Sequence, residues 1–191
     1  MTAARDAIDR TVRLLQSGDL AGAGRETEAA LRGAPDDPGL LRLWGYILQT
    51  QNRFAEAASC YAKVVARDPR DWEIWNNLGN ARRAAGDRAG AEQAYRRALD
   101  ADGRTADAAN GLGVLLVEAG RPAEAAPWLE RAIAAAPDLV EARLNLGIAL
   151  QQSGQPARAS EAYRQVLAAP ARFKRERDAA AKLLAALGDG R

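Results

Sequence analysis

In the segment WNNLGN, residues 75–80, apolar and polar positions follow the period of a helix. At about 100° per residue, Trp75, Leu78 and Gly79 fall on one side, and Asn76, Asn77 and Asn80 project from the other. Asparagine is a mediocre helix former because its amide competes with the backbone for hydrogen bonds. Three of them within two turns therefore mark a polar stripe opposite a packing face, and Glu73 belongs to the same stripe. The segment 172–188, RFKRERDAAAKLLAALG, has the same two-faced pattern, with Leu183, Leu184 and Leu187 as its apolar positions.

Turn residues punctuate these helices at a constant step. Gly18, Asn52, Gly86, Gly120 and Gly154 stand 34 residues apart. All five are types that accept the left-handed conformation at which helices end. Each opens a short link into a second helix: GDLAGA, NRFAEA, GDRAGA, GRPAEA and GQPARA. Pro122 and Pro156 follow their glycines at the spacing of a first helical position. The same period runs through Ala23, Ala57, Ala91, Ala125 and Ala159, and through Gly45, Gly79, Gly113 and Gly147. A third register holds Tyr61, Tyr95, Leu129 and Tyr163, broken at Thr27. Small residues at fixed points let paired helices approach closely, and an aromatic fills the space between neighbouring pairs. A helix–turn–helix unit repeated at this period predicts a solenoid. A coiled coil would not tolerate a glycine every half repeat, and an up-down bundle would not need a strict register.

These residues resemble the tetratricopeptide repeat family. The unit 72–105 carries Trp75, Leu78, Gly79, Gly86, Ala91, Tyr95 and Ala98 at the family's signature positions. The resemblance implies an all-α, right-handed α-solenoid of five repeats at 4–37, 38–71, 72–105, 106–139 and 140–173, with a C-terminal capping helix and short tail over 174–191. Pro35, Pro69 and Pro137 stand at the family's terminal proline position; Gly103 replaces it once, and Pro170 comes one place early. The first repeat has Arg10 and Thr11 where Leu-Gly is expected, as suits a terminal repeat with one face in water.

In this family the polar face of each leading helix lines a concave groove for peptide segments. Carried residue by residue, that face comprises Arg42, Tyr46 and Gln49, with Leu43 and Thr50, in the second repeat. The third supplies Glu73, Asn76, Asn77, Asn80 and Arg83, the fourth Asp107 and Asn110 with Gly111, Val114 and Glu118. The fifth supplies Glu141 and Asn145 with Leu144, Ile148 and Gln151. Asn77 and Asn145 share one repeat position, Asn76 and Asn110 the adjacent one. An asparagine amide offers donor and acceptor together and so can clamp a peptide backbone without reading its sequence. The Asn77/Asn145 pair carries that expectation, whereas Asn76 and Asn110 taken singly read as polar surface. Relatives that hold peptide C-termini use basic residues where this chain has Glu73, Asp107 and Glu141, so carboxylate capture is rejected. The acidic trio points to a partner with Lys or Arg, although acids also favour the first turn of any helix. Trp44 and Trp128 are expected in the core, Trp72 partly exposed, and Cys60 as a buried inert thiol.

Composition narrows the chemistry. The 191 residues are 48% hydrophobic and 27% charged, a globular balance rich in Ala, Leu, Arg and Glu. The net charge is only +2 with signs mixed, and the one dense basic run, RFKRER, contains a glutamate, so nucleic acid is not an expected partner. There is no histidine, which removes the commonest general base and metal ligand, and one cysteine cannot build a thiolate metal site. No phosphate-cradling loop or nucleophile–base pair is present. No cofactor and no catalysis are expected. The N-terminus lacks the apolar core of a secretory signal, and no stretch approaches the length of a membrane span. The reading is of a cytoplasmic, bacterial, non-catalytic adaptor that binds a peptide or protein segment, away from membranes. The alternative is a homo-oligomeric scaffold assembled through repeat–repeat contacts.

Overall fold

The computed structural model describes residues 3–188, which leaves the last three residues of the expected tail outside the described part. Eleven α-helices are found there: α1 (Ala3–Gln16), α2 (Leu20–Gly33), α3 (Pro38–Thr50), α4 (Phe54–Arg67), α5 (Trp72–Ala84), α6 (Arg88–Ala101), α7 (Ala106–Glu118), α8 (Pro122–Ala135), α9 (Val140–Gln152), α10 (Pro156–Leu167) and α11 (Lys174–Gly188). A 3₁₀ turn at Ala171–Phe173 precedes the last. The helices group into two compact units, residues 1–101 and 102–191.

The link inside each of the first five helix pairs is closed by the backbone. Gly18, Gly86, Gly120 and Gly154 have φ between +74° and +85°, and Asn52 has φ +60°. The following residue then reaches back to the last turn: Asp19 N to Leu14 O at 2.9 Å, Arg53 N to Leu48 O at 2.9 Å, and Gln155 N to Leu150 O at 2.8 Å. This 6→1 bond is the Schellman closure, which the left-handed residue makes possible. Several helix starts are capped by aspartate side chains. Asp19 accepts from Gly22 N at 2.7 Å, Asp71 from Ile74 N at 3.1 Å, and Asp87 from Gly90 N at 2.9 Å. Pro38, Pro122 and Pro156 open their helices at the first turn, where no amide is needed.

Within a pair, the helices approach through the glycine register. A Cβ on Gly45 would lie 2.6 Å from the Tyr61 ring, one on Gly79 2.6 Å from Tyr95, and one on Gly113 2.5 Å from Leu129. Gly147 faces Tyr163 in the same way. The first pair solves this packing problem differently. Thr11 stands at the glycine place and Thr27 at the tyrosine place, and their hydroxyls are hydrogen-bonded at 3.2 Å. Both are fully buried, so Thr11 does not face water as expected; a larger residue on one helix is matched by a smaller one on the other. Arg10 does point outward and pairs with Glu26 at 2.6 Å.

The core of the first unit runs from Leu41 and Leu48 through Tyr61, Val64 and Val65 to Ile74 and Leu78. In the second, Val140, Leu150, Tyr163 and Val166 pack with Ala180, and Leu183, Leu184 and Leu187 of α11 close over them. Gly188 lies 34 residues after Gly154, and the fully buried Ala180 takes the register of Leu78, Leu112 and Leu146. The last helix thus has the register of a further leading helix.

Candidate binding face

In the first unit the candidate face is built by α3 and α5. Arg42 is ion-paired with Asp71, the residue that caps α5, which ties the two leading helices together and spends the Arg42 charge inside the protein. Tyr46, one turn further on, is 52% exposed and is one of two large hydrophobic side chains so displayed among the described residues. On α5, Glu73 is exposed and Asn77 half-buried. Asn77 makes no side-chain hydrogen bond among the described residues. Asn76 differs from its expected place at the surface. It is only 9% exposed and its Oδ1 is buried without a hydrogen-bond partner.

Two other expected contact residues are engaged in bracing the fold. The Tyr61 hydroxyl donates to Gln49 Oε1 at 2.7 Å, and the Tyr163 hydroxyl donates to Gln151 Oε1 at 2.7 Å. The equivalent place in the third pair is Arg83, which has donors but no acceptor. The Tyr95 hydroxyl donates instead to Asn80 Oδ1 at 2.7 Å. In the fourth pair Leu129 replaces the tyrosine and Val117 the glutamine, so neither needs a partner. The signal was present in the sequence as a repeated twelve-residue spacing from an acceptor to a tyrosine. Burial raises the pKa of both phenols, that of Tyr163 to about 12, with Tyr61 pushed further in the same direction.

In the second unit Asn145 Nδ2 donates to Asn110 Oδ1 at 3.0 Å, joining α9 to α7 across the leading-helix face. Asn145 thereby keeps one acceptor for an outside group, while the Asn110 acceptor is partly used. Asp107 and Glu141 are exposed in the first turns of their helices. Two tryptophans lie less deep than expected. Trp44 and Trp128 are half-buried, with Arg53 and Arg131 guanidiniums 5.9 and 5.5 Å from their ring centres. Large flat side chains covered by an arginine satisfy burial without entering the core. Cys60 is likewise half-buried, and desolvation pushes its thiol pKa up, the direction of an unreactive cysteine.

The geometry is that of an α-solenoid of helix–turn–helix units. A tetratricopeptide repeat model matches residues 42–103 and 77–140, and a second model of that description matches 116–187. Together they span well over half of the chain, which belongs to the tetratricopeptide repeat family. Solved structures share the fold. The MamA protein is 23% identical with a TM-score of 0.79, over 86% of this chain and 90% of that one. TTC0263, a thermophilic TPR protein in Thermus thermophilus, is 22% identical with a TM-score of 0.71, over 95% and 99%. YrrB, described as a TPR protein with an unusual peptide-binding site, is 16% identical with a TM-score of 0.75, over 92% and 89%. No curated protein matches the chain by sequence.

Proposed function

We propose that the protein is a non-catalytic scaffold that holds a peptide or protein segment along its leading-helix face. The observation that carries this reading is the display of Tyr46 and the unengaged Asn77 amide on neighbouring leading helices of the first unit. An exposed tyrosine offers apolar area at low entropic cost, and an amide beside it can pair with a peptide group. Glu73, Asp107 and Glu141 are exposed, which favours a segment with lysine or arginine. Asn145 is the amide available in the second unit. Arg42, Gln49 and Asn80 serve this face by holding its helices in place. No helix among the described residues is long and apolar enough to cross a membrane, and the working site we assign is the cytoplasm.

The test is capture of partners from the host lysate, followed by calorimetry with the captured segment. A Tyr46→Ala/Asn77→Ala double variant should bind about tenfold more weakly, near 1.4 kcal/mol, with its helical content unchanged. Equal affinity for variant and wild type would overturn the assignment of this face. Sedimentation at increasing concentration separates the oligomeric alternative: self-association lost in the same double variant would mean that a second copy is the segment held.

A further inference from the structure

By helical rotation, the other flank of α5 faces away from Asn77, and there the first unit has a hollow. It lies between α4, α5 and α6 and has a volume of about 430 Å³, large enough for a bulky side chain. Its floor is apolar, with Val65 and Leu78 buried. Trp75 does not fill it, because the indole Nε1–H donates to the Pro69 carbonyl at 2.9 Å and holds the ring as a wall. One repeat earlier, the register of Leu78 is occupied by the much larger Trp44.

Around this hollow the charge has one sign. Arg82, Arg97 and Gln93 border the hollow, and no carboxylate lines it. Arg82 is partly spent, donating to Gly90 O at 3.1 Å with its Nε 3.7 Å from Asp87. Arg97 is exposed and makes no ion pair among the described residues. Sixty-eight residues on, the places of Arg82 and Arg97 hold Leu150 and Gln165, so the basic rim is not a property of every repeat. Ala62 and Arg82 also border a neighbouring hollow of about 350 Å³ that reaches Ala55, Ala85 and Asp87. The two share Ala62 and Arg82 and run together along α4 from Ala66 to Ala55 as one trough, with Asp87, at its far end, the one carboxylate among the lining residues. At about 1.5 Å per residue this is roughly 16 Å, the span of about five extended residues. A trough of that length suits a peptide better than a compact small molecule.

We infer that this trough is a second docking site, for a short acidic peptide segment that seats one large apolar side chain against Trp75 and Leu78 and sets carboxylates against Arg97 and Arg82. Guanidinium groups beside an apolar floor pair well with carboxylates, since the floor keeps water from one side of the contact. The preferred charge is opposite to that of the segment assigned to the leading-helix face, so the two sites are separable.

The experiment is fluorescence anisotropy of the full chain with dye-labelled Glu-Glu-Phe-Glu-Glu. Glu-Glu-Ala-Glu-Glu and Lys-Lys-Phe-Lys-Lys serve as comparators. Either change in the peptide should weaken binding about tenfold or more, and added salt should weaken it further. Ala66→Trp, at an exposed position on the trough wall, should block the apolar seat, and Arg97→Glu should repel the carboxylates, each by about tenfold. Tyr46→Ala/Asn77→Ala should leave this binding unchanged. The inference is overturned if the phenylalanine peptide does not bind, if the alanine peptide binds equally well, or if neither Ala66→Trp nor Arg97→Glu weakens binding. It is also overturned if binding is lost only in the Tyr46/Asn77 variant.

Discussion

The contacts that hold each helix pair together are made by two residues sixteen apart. A glycine on the leading helix and a tyrosine on the second one fit because the glycine has no Cβ; adding one at Gly79 would place it 2.6 Å from the Tyr95 ring. Gly79→Ala therefore overpacks the pair, and its expected cost is about 1–3 kcal/mol in urea unfolding. The first pair shows the compensating change, since Thr11 and Thr27 share the same space and hydrogen-bond within it. In a Tyr95→Thr background, Gly79→Ala should cost less by about 1 kcal/mol or more, the signature of direct coupling in a double-mutant cycle. Additive costs would show that the glycine is required for some other reason. The tyrosine hydroxyls explain why three apparent binding residues are structural: a buried phenol left without an acceptor loses a hydrogen bond, so Gln49, Asn80 and Gln151 turn toward one.

At the scale of the element, α11 carries a stabilising role that its modest apolar content does not advertise. Only Ala180 in it is fully buried, but it lies against Tyr163 and Val166, with Leu183, Leu184 and Leu187 partly covered around it. Ala180→Asp would place an unpaired charge in that contact. The expected cost is about 3 kcal/mol, and native-state hydrogen exchange should show protection falling first in α9, α10 and α11. Uniform loss through α3–α6 as well would contradict a helix that acts on its nearest neighbours alone. The register explains why a helix with so few large residues docks at all. Ala180 occupies the place of the buried leucines in earlier leading helices, where a small residue fits once Leu183 and Leu184 supply the bulk.

Across the whole molecule, stability is a sum of similar contacts repeated in both units, and one chemical consequence is shared between them. Tyr61 lies in the first unit and Tyr163 in the second, and burial raises both phenol pKa values, that of Tyr163 to about 12. A group whose folded pKa lies above its unfolded value stabilises the fold fully below the unfolded pKa, here about 10. That contribution is lost as pH rises from about 10 through the folded values. Urea midpoints should hold steady from neutral pH to about pH 9 and then fall, and a Tyr61→Phe/Tyr163→Phe variant should fall less steeply. An identical alkaline slope in the variant would assign the loss to other groups.

Much of this was written in the chain itself. The 34-residue step of Gly18, Asn52, Gly86, Gly120 and Gly154 dictates where helices stop, because only residue types that tolerate positive φ close a Schellman turn without strain. The period of Trp75, Leu78 and Gly79 dictates which flank of α5 packs, since helical rotation is local geometry. The stripe of Asn76, Asn77 and Asn80 was legible as a direction, but the fate of each amide was not. Whether an asparagine meets a phenol, another amide or solvent depends on atoms that are distant in sequence and adjacent only after packing. Asn80 was taken by Tyr95, Asn145 reached Asn110, and Asn76 was enclosed, leaving Asn77. The trough beside Trp75 was equally invisible beforehand, for no sequence pattern announces that the indole donates to the Pro69 carbonyl and stands as its wall. Periodicity therefore determined the elements and their faces, whereas tertiary packing decided which polar groups remain free to meet a partner.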